Sequence, residues 1–96
     1  MITEAIINHC RKHKYSKEYM VYWLRNSRCE VPSCPKWAAA PHHIRSRGAG
    51  GKDNSENLLA LCTDHHTEIH QYGWQTFAFL HPSLLDRLEA AKGAMA

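Results

Sequence analysis

The sequence predicts a small α+β protein built on a two-stranded antiparallel hairpin and a helix that follows it. Two short apolar segments, KWAAAPHHI and LLALC, have the composition of strands, and the glycine-rich segment RSRGAGGKDNSE lies between them. The segment TDHHTEIHQY comes next and carries histidines at helical spacing. Amphipathic segments flank this centre on both sides. We expect one compact domain, in which a hydrophobic core of 96 residues is marginal by itself.

The N-terminal segment, residues 1–28, predicts a helical extension of two helices. Thr3 can cap a first helix that runs to about Lys14, and Ser16 can cap a second helix with the sequence SKEYMVYWLRN. Apolar residues recur on one side of each helix, so both are expected to pack on a core. Cys10 belongs to the apolar side of the first helix and is expected to be buried.

The central segment, residues 29–77, holds the predicted hairpin and its helix, which Thr63 or Asp64 can cap and Gly73 can end. A further short helix is predicted for WQTFAFL. In the C-terminal segment, residues 78–96, Ser83 can cap a last helix with the sequence SLLDRLEAAK.

Three cysteines and one histidine have the spacing of a structural zinc site. Cys29 and Cys34 lie in the segment CEVPSCP, whose prolines and serine favour turns, and Cys62 is followed by His65 at zinc-ligand spacing. Three thiolates and an imidazole complete the tetrahedral set that closes around Zn²⁺, with Zn–S distances of about 2.3 Å. The residue one helical turn after His65 is Ile69, which cannot bind metal, so His65 is assigned to this site. The alternative interpretation is that the cysteines are small buried hydrophobic residues.

Three other histidines are predicted to hold a second, catalytic metal ion. His66 and His70 are one helical turn apart and therefore lie on one face of the helix. His42 and His43 are adjacent, so on a strand they point to opposite faces, and one can bind metal while the other stays free. We assign His42 to the metal, which leaves positions open for water and a phosphate oxygen. Zn²⁺, Mn²⁺, Ni²⁺ and Mg²⁺ remain candidates for the ion, and the alternative is that these histidines bind no metal.

His43 is then the candidate general base. An imidazole with a pKa of about 6.5 is half deprotonated close to neutral pH and can take a proton from water. Arg45, Arg47 and Lys52 follow it on the loop and can bind the flanking phosphates of a nucleic acid. For each of these three residues, a merely solvated charge is the alternative interpretation.

The net charge of +3 is unevenly distributed along the chain. Residues 1–52 contain ten Lys or Arg and three acidic residues, whereas residues 53–96 contain two Lys or Arg and six acidic residues. A basic half of this kind favours an anionic partner, and nucleic acid is the natural candidate. A solvated basic helix would explain the same charges without a partner.

The cellular compartment is predicted from two sequence features that are absent. It contains no apolar run that could span a bilayer, and MITEAIINHC has neither the basic start nor the apolar centre of a signal peptide. We therefore expect a cytoplasmic protein without a membrane partner, in which the four cysteines stay reduced and free to bind metal.

The segment PHHIRSRGAGGKDNSENLLALCTDHHTEIH resembles the HNH endonucleases, also called the ββα-metal nucleases. The first His of their signature matches His43, the Asn matches Asn57, and the last His matches His66 or His70. The resemblance covers residues 29–77, and EIHQYGWQTF is most similar to small phage-borne and prophage-borne members.

This resemblance implies a ββα-metal core and metal-dependent hydrolysis of DNA that leaves 5′-phosphate and 3′-hydroxyl ends. It also implies that Asn57 hydrogen-bonds across the loop and fixes the orientation of His43, although Asn57 can instead be a cap or turn residue before LLALC. It supports the structural zinc site, from whose usual pattern this chain departs: four residues separate the first two cysteines, and His65 stands where a cysteine is usual.

We therefore expect a nickase that acts on double-stranded DNA with low sequence specificity, as a monomer or weak dimer. The alternative from another class is a non-catalytic, zinc-stabilised module that binds nucleic acid. A third interpretation, an accessory protein that works beside a phage terminase in packaging, is similar to the role of some small HNH proteins and is compatible with the first.

Overall fold

A short antiparallel hairpin lies among five α-helices in the computed structural model, which describes residues 2–93. The strands are β1 (His42–His43) and β2 (Leu58–Leu59), with His42 opposite Leu59 and His43 opposite Leu58. The helices are α1 (Ile2–Lys12), α2 (Lys17–Arg25), α3 (Thr63–Tyr72), α4 (Trp74–Leu80) and α5 (Leu85–Gly93). The α+β class and the antiparallel hairpin are thus confirmed. None of these helices has the length and apolar character needed to cross a membrane.

Regular strand pairing is much shorter than the predicted strands KWAAAPHHI and LLALC. Pro41 precedes β1 and has no N–H to donate to a neighbouring strand. Beyond β2, the backbone of Ala60 pairs with Glu30: the Glu30 N–H donates to the Ala60 carbonyl at 2.8 Å. Trp37 forms an isolated bridge with Arg28. The 28–30 segment therefore pairs along the other edge of β2, while the hairpin continues past Pro41 through the Ala39 N–H, which donates to the Leu61 carbonyl at 2.8 Å.

The ends of two helices agree with prediction. Ser16 caps α2, and its side chain accepts a hydrogen bond from the Tyr19 N–H at 3.1 Å. Gly73 ends α3 with φ at 86°, a left-handed value that glycine adopts without a steric penalty.

Three other predicted caps are wrong. Thr3 lies inside α1, which begins at Ile2 and ends at Lys12. Cys62 caps α3 in place of Thr63 or Asp64, because its extended backbone directs Sγ to the His65 N–H at 3.5 Å. Ser83 lies within the 3₁₀ turn Pro82–Leu84, which the fixed φ of a proline at its first position favours. The predicted N- and C-terminal segments also include residues 1 and 94–96, which lie outside the described residues.

The buried segment 58–62 separates two hydrophobic cores and contributes side chains to both. Leu58 and Ala60 face the N-terminal core, whose other buried members are Ile6, Cys10, Tyr19, Tyr22, Trp23 and Ala38. Leu59, Leu61 and Cys62 face the C-terminal core, whose other buried members are Cys29, Val31, Ile44, Ile69, Phe77, Ala78, Leu84 and Leu88. This alternation is the period-two pattern of an extended chain buried on both faces.

A polar network ties the two halves of the protein together beside this segment. Glu30 accepts hydrogen bonds from the Tyr22 hydroxyl, from the Ala60 N–H at 2.8 Å and from Arg87 Nη1 at 2.6 Å. Arg87 also donates to the carbonyl of Leu58 at 2.5 Å. Burial, together with the hydrogen bond to Glu30, raises the pKa of Tyr22 to about 12. One carboxylate thus connects α2, the 58–62 segment and α5.

We expect Glu30→Ala to lower the free energy of unfolding by about 3 kcal/mol, because the Arg87 charge and the buried Ala60 N–H then lose their partner. Urea denaturation followed by circular dichroism measures the change. The matched control is Glu89→Ala on the exposed side of α5, for which a change of less than about 0.5 kcal/mol is expected. Equal effects of the two substitutions would show that the network adds no stability.

Candidate metal centres and active site

The four residues predicted to bind structural zinc lie together where the 29–34 turn meets the start of α3. This four-ligand cluster consists of Cys29, Cys34, Cys62 and His65, whose ligand atoms all lie within 4.8 Å of one another. His65 Nδ1 is 3.4 Å from Cys29 Sγ and 3.2 Å from Cys62 Sγ. The sulfur atoms of Cys34 and Cys62 are 4.0 Å apart.

These separations fit one tetrahedral ion. With Zn–S of about 2.3 Å and Zn–N of about 2.0 Å, neighbouring ligand atoms are about 3.5–3.8 Å apart. The cluster is therefore compatible with a structural metal such as zinc. Burial raises the pKa of the Cys29 thiol to about 11, whereas the backbone N–H of Lys36 holds the pKa of Cys34 below its usual value. Metal binding must therefore displace a proton from Cys29, which makes the affinity depend on pH.

The remaining side of His65 faces a second polar pair. The His81 ring lies 5.2 Å from the His65 ring, and His81 Nε2 lies 2.6 Å from a carboxylate oxygen of Glu68. His65, Glu68 and His81 have ligand atoms within 4.8 Å of one another, so His65 also belongs to a second group of possible metal ligands.

Three histidines form a separate cluster on the other side of α3. This three-histidine cluster consists of His42 from β1 and His66 and His70 from α3, with ligand atoms within 4.8 Å of one another. His66 Nε2 and His70 Nε2 are 3.0 Å apart. The His42 ring centre lies 5.2 Å from that of His66 and 5.0 Å from that of His70. Imidazole nitrogens on one ion, with metal–N of about 2.1 Å, are about 3.0–3.4 Å apart, so this set also fits a cation.

Burial favours the neutral, metal-binding form of two of the three histidines, His42 and His66. Burial, followed by the proximity of His66 and His70, lowers the pKa of His42 to about 3. Burial and His70 also lower the pKa of His66. A neutral imidazole has a lone pair to offer, so His42 needs to release no proton before it binds a cation at neutral pH.

His43 points away from the three-histidine cluster and has its own partners. Its ring stacks on that of Tyr19, with centres 5.4 Å apart and an interplanar angle of 18°. His43 Nε2 lies 2.6 Å from Asp53 Oδ1, and Arg47 Nη2 lies 3.1 Å from Asp53 Oδ2. His43 is therefore held by Tyr19 on α2 and Asp53 on the loop, and it is not part of the three-histidine cluster that contains His42.

Asn57 is buried and holds the loop closed. Its Oδ1 accepts a hydrogen bond from the Arg45 N–H at 2.7 Å, and its Nδ2 donates to the carbonyls of Arg45 at 2.9 Å and Lys52 at 3.0 Å. Gly51 lies against this clamp, where a Cβ would come within 1.7 Å of the Arg45 carbonyl oxygen. The amide of Asn57 therefore spans the loop through backbone groups of Arg45 and Lys52.

The three predicted phosphate-binding residues lie on this loop in different settings. The Arg45 guanidinium donates to the Ala49 carbonyl at 2.9 Å, the Arg47 guanidinium pairs with Asp53, and Lys52 is exposed. Each arginine has five N–H donors, so these internal contacts leave donors for a phosphate.

Two residues that contact the candidate base were not predicted from the sequence as site residues. Asp53 and Tyr19 both contact His43, but they lie in different segments of the chain. Asp53 sits within the same loop as the predicted basic residues, ten positions after His43, and its sequence spacing does not predict the contact. Tyr19 was not predicted either, because its apolar spacing on α2 predicts only a core residue.

An open cleft of about 470 Å³ brings the two histidine groups together. The cleft is lined by residues of the 15–19 segment, of β1 and the loop after it, and of α3: Tyr15, Tyr19, Ala40, Pro41, His42, His43, Ser46, Arg47, His66 and His70. A candidate cation site and a candidate base therefore face the same solvent-accessible space.

Adjacent histidines on α3 allow the two clusters to be tested separately. We expect His65→Ala to lose one tightly bound zinc ion and to melt at a much lower temperature, since apparent zinc-binding energies in small domains are on the order of 10 kcal/mol. His66→Ala should retain that zinc, because its ring belongs to the three-histidine cluster. Elemental analysis after dialysis and thermal denaturation measure both properties. Equal zinc retention by the two variants would contradict this division.

This chain has sequence similarity to a bacterial protein. No family model matches the chain, and no solved structure matches it. The chain is similar to the uncharacterized protein YdfU of Escherichia coli (strain K12), with 29% identity over 70 residues that cover 70% of this chain. The match covers 20% of YdfU, so the chain spans about a fifth of the length of this relative.

Proposed function

We propose that this protein is a metal-dependent endonuclease of the HNH, or ββα-metal, type that hydrolyses phosphodiester bonds in DNA. One observation carries the proposal: His42, His66 and His70 form a cation-sized cluster in a cleft that also holds His43. A module that used metal only for folding would need the four-ligand cluster alone. The three-histidine cluster, with fewer protein ligands and an open approach, has the character of a reactive site.

In this proposal His43 removes a proton from the attacking water as the water oxygen bonds to phosphorus. The bond between phosphorus and the 3′ oxygen breaks, and the leaving oxygen takes up a proton from solvent. His42, His66 and His70 would hold a divalent ion, which would supply Lewis-acid stabilisation of the charge that develops during the reaction. His43 suits the proton transfer because its ring is held by Tyr19 and Asp53 and is not shared with the cation.

The cleft is also suited to a polyanion. Arg47 lines it, while Arg45 and Lys52 lie on the same loop. Of the two acidic residues in this loop, Asp53 is already paired with Arg47 and His43, and Glu56 is exposed. Phosphates on either side of the scissile bond would bind these cations, and double-stranded DNA is the substrate that we propose.

We further propose that zinc in the four-ligand cluster has a structural role. It would join the 29–34 turn to the first turn of α3 through Cys62 and His65. The bound zinc would fix the orientation of α3 and therefore the positions of His66 and His70. A metal site of this kind adds stability to a small domain, whose hydrophobic core is marginal by itself.

The decisive experiment incubates purified protein with supercoiled plasmid in Mg²⁺, Mn²⁺, Ni²⁺ or Zn²⁺. Because one three-histidine cluster cuts one strand at a time, we expect open circles before any linear DNA. His43→Ala should abolish nicking while its metal content stays near that of the wild type. His13→Ala, which changes an exposed histidine on the N-terminal side, should nick normally.

Two results would reject parts of this assignment. Loss of the catalytic ion from His43→Ala would make His43 a ligand. A wild-type protein that shifts DNA in a gel but nicks it with none of the four ions would favour the non-catalytic nucleic-acid-binding module, which includes a packaging accessory role.

Salt dependence tests the role of the basic loop. Each phosphate contact made by a lysine or arginine adds about 0.9 to the slope of log affinity against log salt on duplex DNA. We expect Lys52→Ala to lower this slope by about 1 in a fluorescence-anisotropy titration. The matched control, Lys36→Ala, should leave it unchanged, because Lys36 pairs with Asp64 outside the cleft. An unaltered slope for Lys52→Ala would remove Lys52 from the interface.

A further inference from the structure

We propose that Asp53 is the residue that positions His43 for catalysis, an inference that rests on the proposed nuclease function. His43 Nε2 lies 2.6 Å from Asp53 Oδ1, and the two side chains are only 18% and 19% exposed. Arg47 Nη2 donates to both carboxylate oxygens, at 3.3 Å to Oδ1 and 3.1 Å to Oδ2. Asp53 is therefore held from both sides, and it presents one oxygen to the imidazole in a fixed direction.

The contact determines which nitrogen of His43 acts as the base. Burial opposes ionisation of Asp53, but hydrogen bonds from His43 and Ser16 and the charge of Arg47 hold the pKa of Asp53 below its usual value. An ionised carboxylate only accepts hydrogen bonds. The 2.6 Å contact places Nε2 against this carboxylate, so in the tautomer that donates from Nε2 the lone pair lies on Nδ1, where it can receive the proton of water.

The remaining motion of the ring is restricted by Tyr19. The two rings stack at 5.4 Å, and the Tyr19 hydroxyl donates to the Pro41 carbonyl at 2.7 Å, two residues before His43. The carboxylate limits rotation of the imidazole within its plane, and the stacked phenol ring limits its tilt. Both restraints reduce the freedom that a base must lose before proton transfer.

Asn57 has a different task in this arrangement. All three hydrogen bonds of its side chain end on the backbone of Arg45 and Lys52. It shapes the loop that carries Asp53, whereas Asp53 itself contacts the imidazole. The HNH resemblance gives Asn57 the role of orienting His43. In this proposal Asp53 orients His43, and Asn57 shapes the loop that carries Asp53.

The test compares Asp53→Ala with Asp53→Asn, which keeps the size and one acceptor oxygen, and with Asp64→Ala. Asp64 is the control because its ion pair with Lys36 is exposed and lies outside the cleft. In plasmid nicking, we expect kcat of Asp53→Ala to fall by about 10²-fold or more, the contribution typical of general-base catalysis. KM should rise by less than about threefold, since Arg47 released from Asp53 keeps its donors for phosphate. Asp53→Asn should recover part of kcat, and Asp64→Ala should match the wild type.

A second measurement is independent of activity. In ¹H–¹⁵N spectra of DNA-free, zinc-loaded protein, wild-type His43 should give a downfield Nε2–H resonance protected by the carboxylate, and Asp53→Ala should lose it. Absence of the resonance in the wild type would overturn the proposed contact. An active wild type with an unchanged kcat in Asp53→Ala, or a loss expressed in KM alone, would overturn the positioning role while leaving the nuclease proposal intact. A wild type that nicks no DNA would overturn the nuclease proposal, and the positioning role with it.

Discussion

The extended segment 58–62 is the constraint on which the rest of the structure depends. The side chains of residues 58–61 alternate between the N-terminal and C-terminal cores, with Leu58 and Ala60 on one face and Leu59 and Leu61 on the other, and Cys62 follows Leu61 into the C-terminal core. A slip of one residue would exchange these faces and leave one core overfilled and the other short of volume. The same register places Leu59 opposite His42 and brings Cys62 to the start of α3. Packing of apolar side chains thus decides where two prospective metal ligands lie.

Hydrogen bonds to the backbone of the 58–62 segment hold it in place in addition to the packing of its side chains. Alternating burial sets which face a side chain occupies, but a chain buried on both sides still needs partners for its backbone. Glu30 supplies them at Ala60 through both its main chain and its carboxylate, and Arg87 reaches the Leu58 carbonyl from α5. The N-terminal helices are joined through the same carboxylate by Tyr22. Helices from both ends of the chain therefore meet at one partly buried acid.

Local patterns in the sequence were sufficient for features that depend on neighbouring residues. The cap at Ser16, the end of α3 at Gly73 and the antiparallel hairpin could be predicted because turn and cap chemistry acts over a few positions. Pairing along the other edge of β2 could not, since it joins Ala60 to Glu30, a residue 30 positions away. The cap at Cys62 was missed because a buried sulfur takes the place of the usual oxygen. The contact between His43 and Asp53 depends on how the Asn57 clamp folds the loop, which spacing alone does not encode.

Helix α3 places His65 in the four-ligand cluster and His66 in the three-histidine cluster. This arrangement has a consequence for the affinities of the two sites. Rotation of the helix about its axis would move both rings, so an ion that fixes His65 also removes the freedom that His66 must lose. If both proposed ions bind, their affinities are linked, and each ion strengthens the other by the same factor. Metal loading would then be cooperative within a single short helix. A chelator strong enough to remove the ion from the four-ligand cluster would also lower the affinity of the three-histidine cluster for its ion. The affinity for the reactive ion would thus depend in part on a second metal ion that it does not contact.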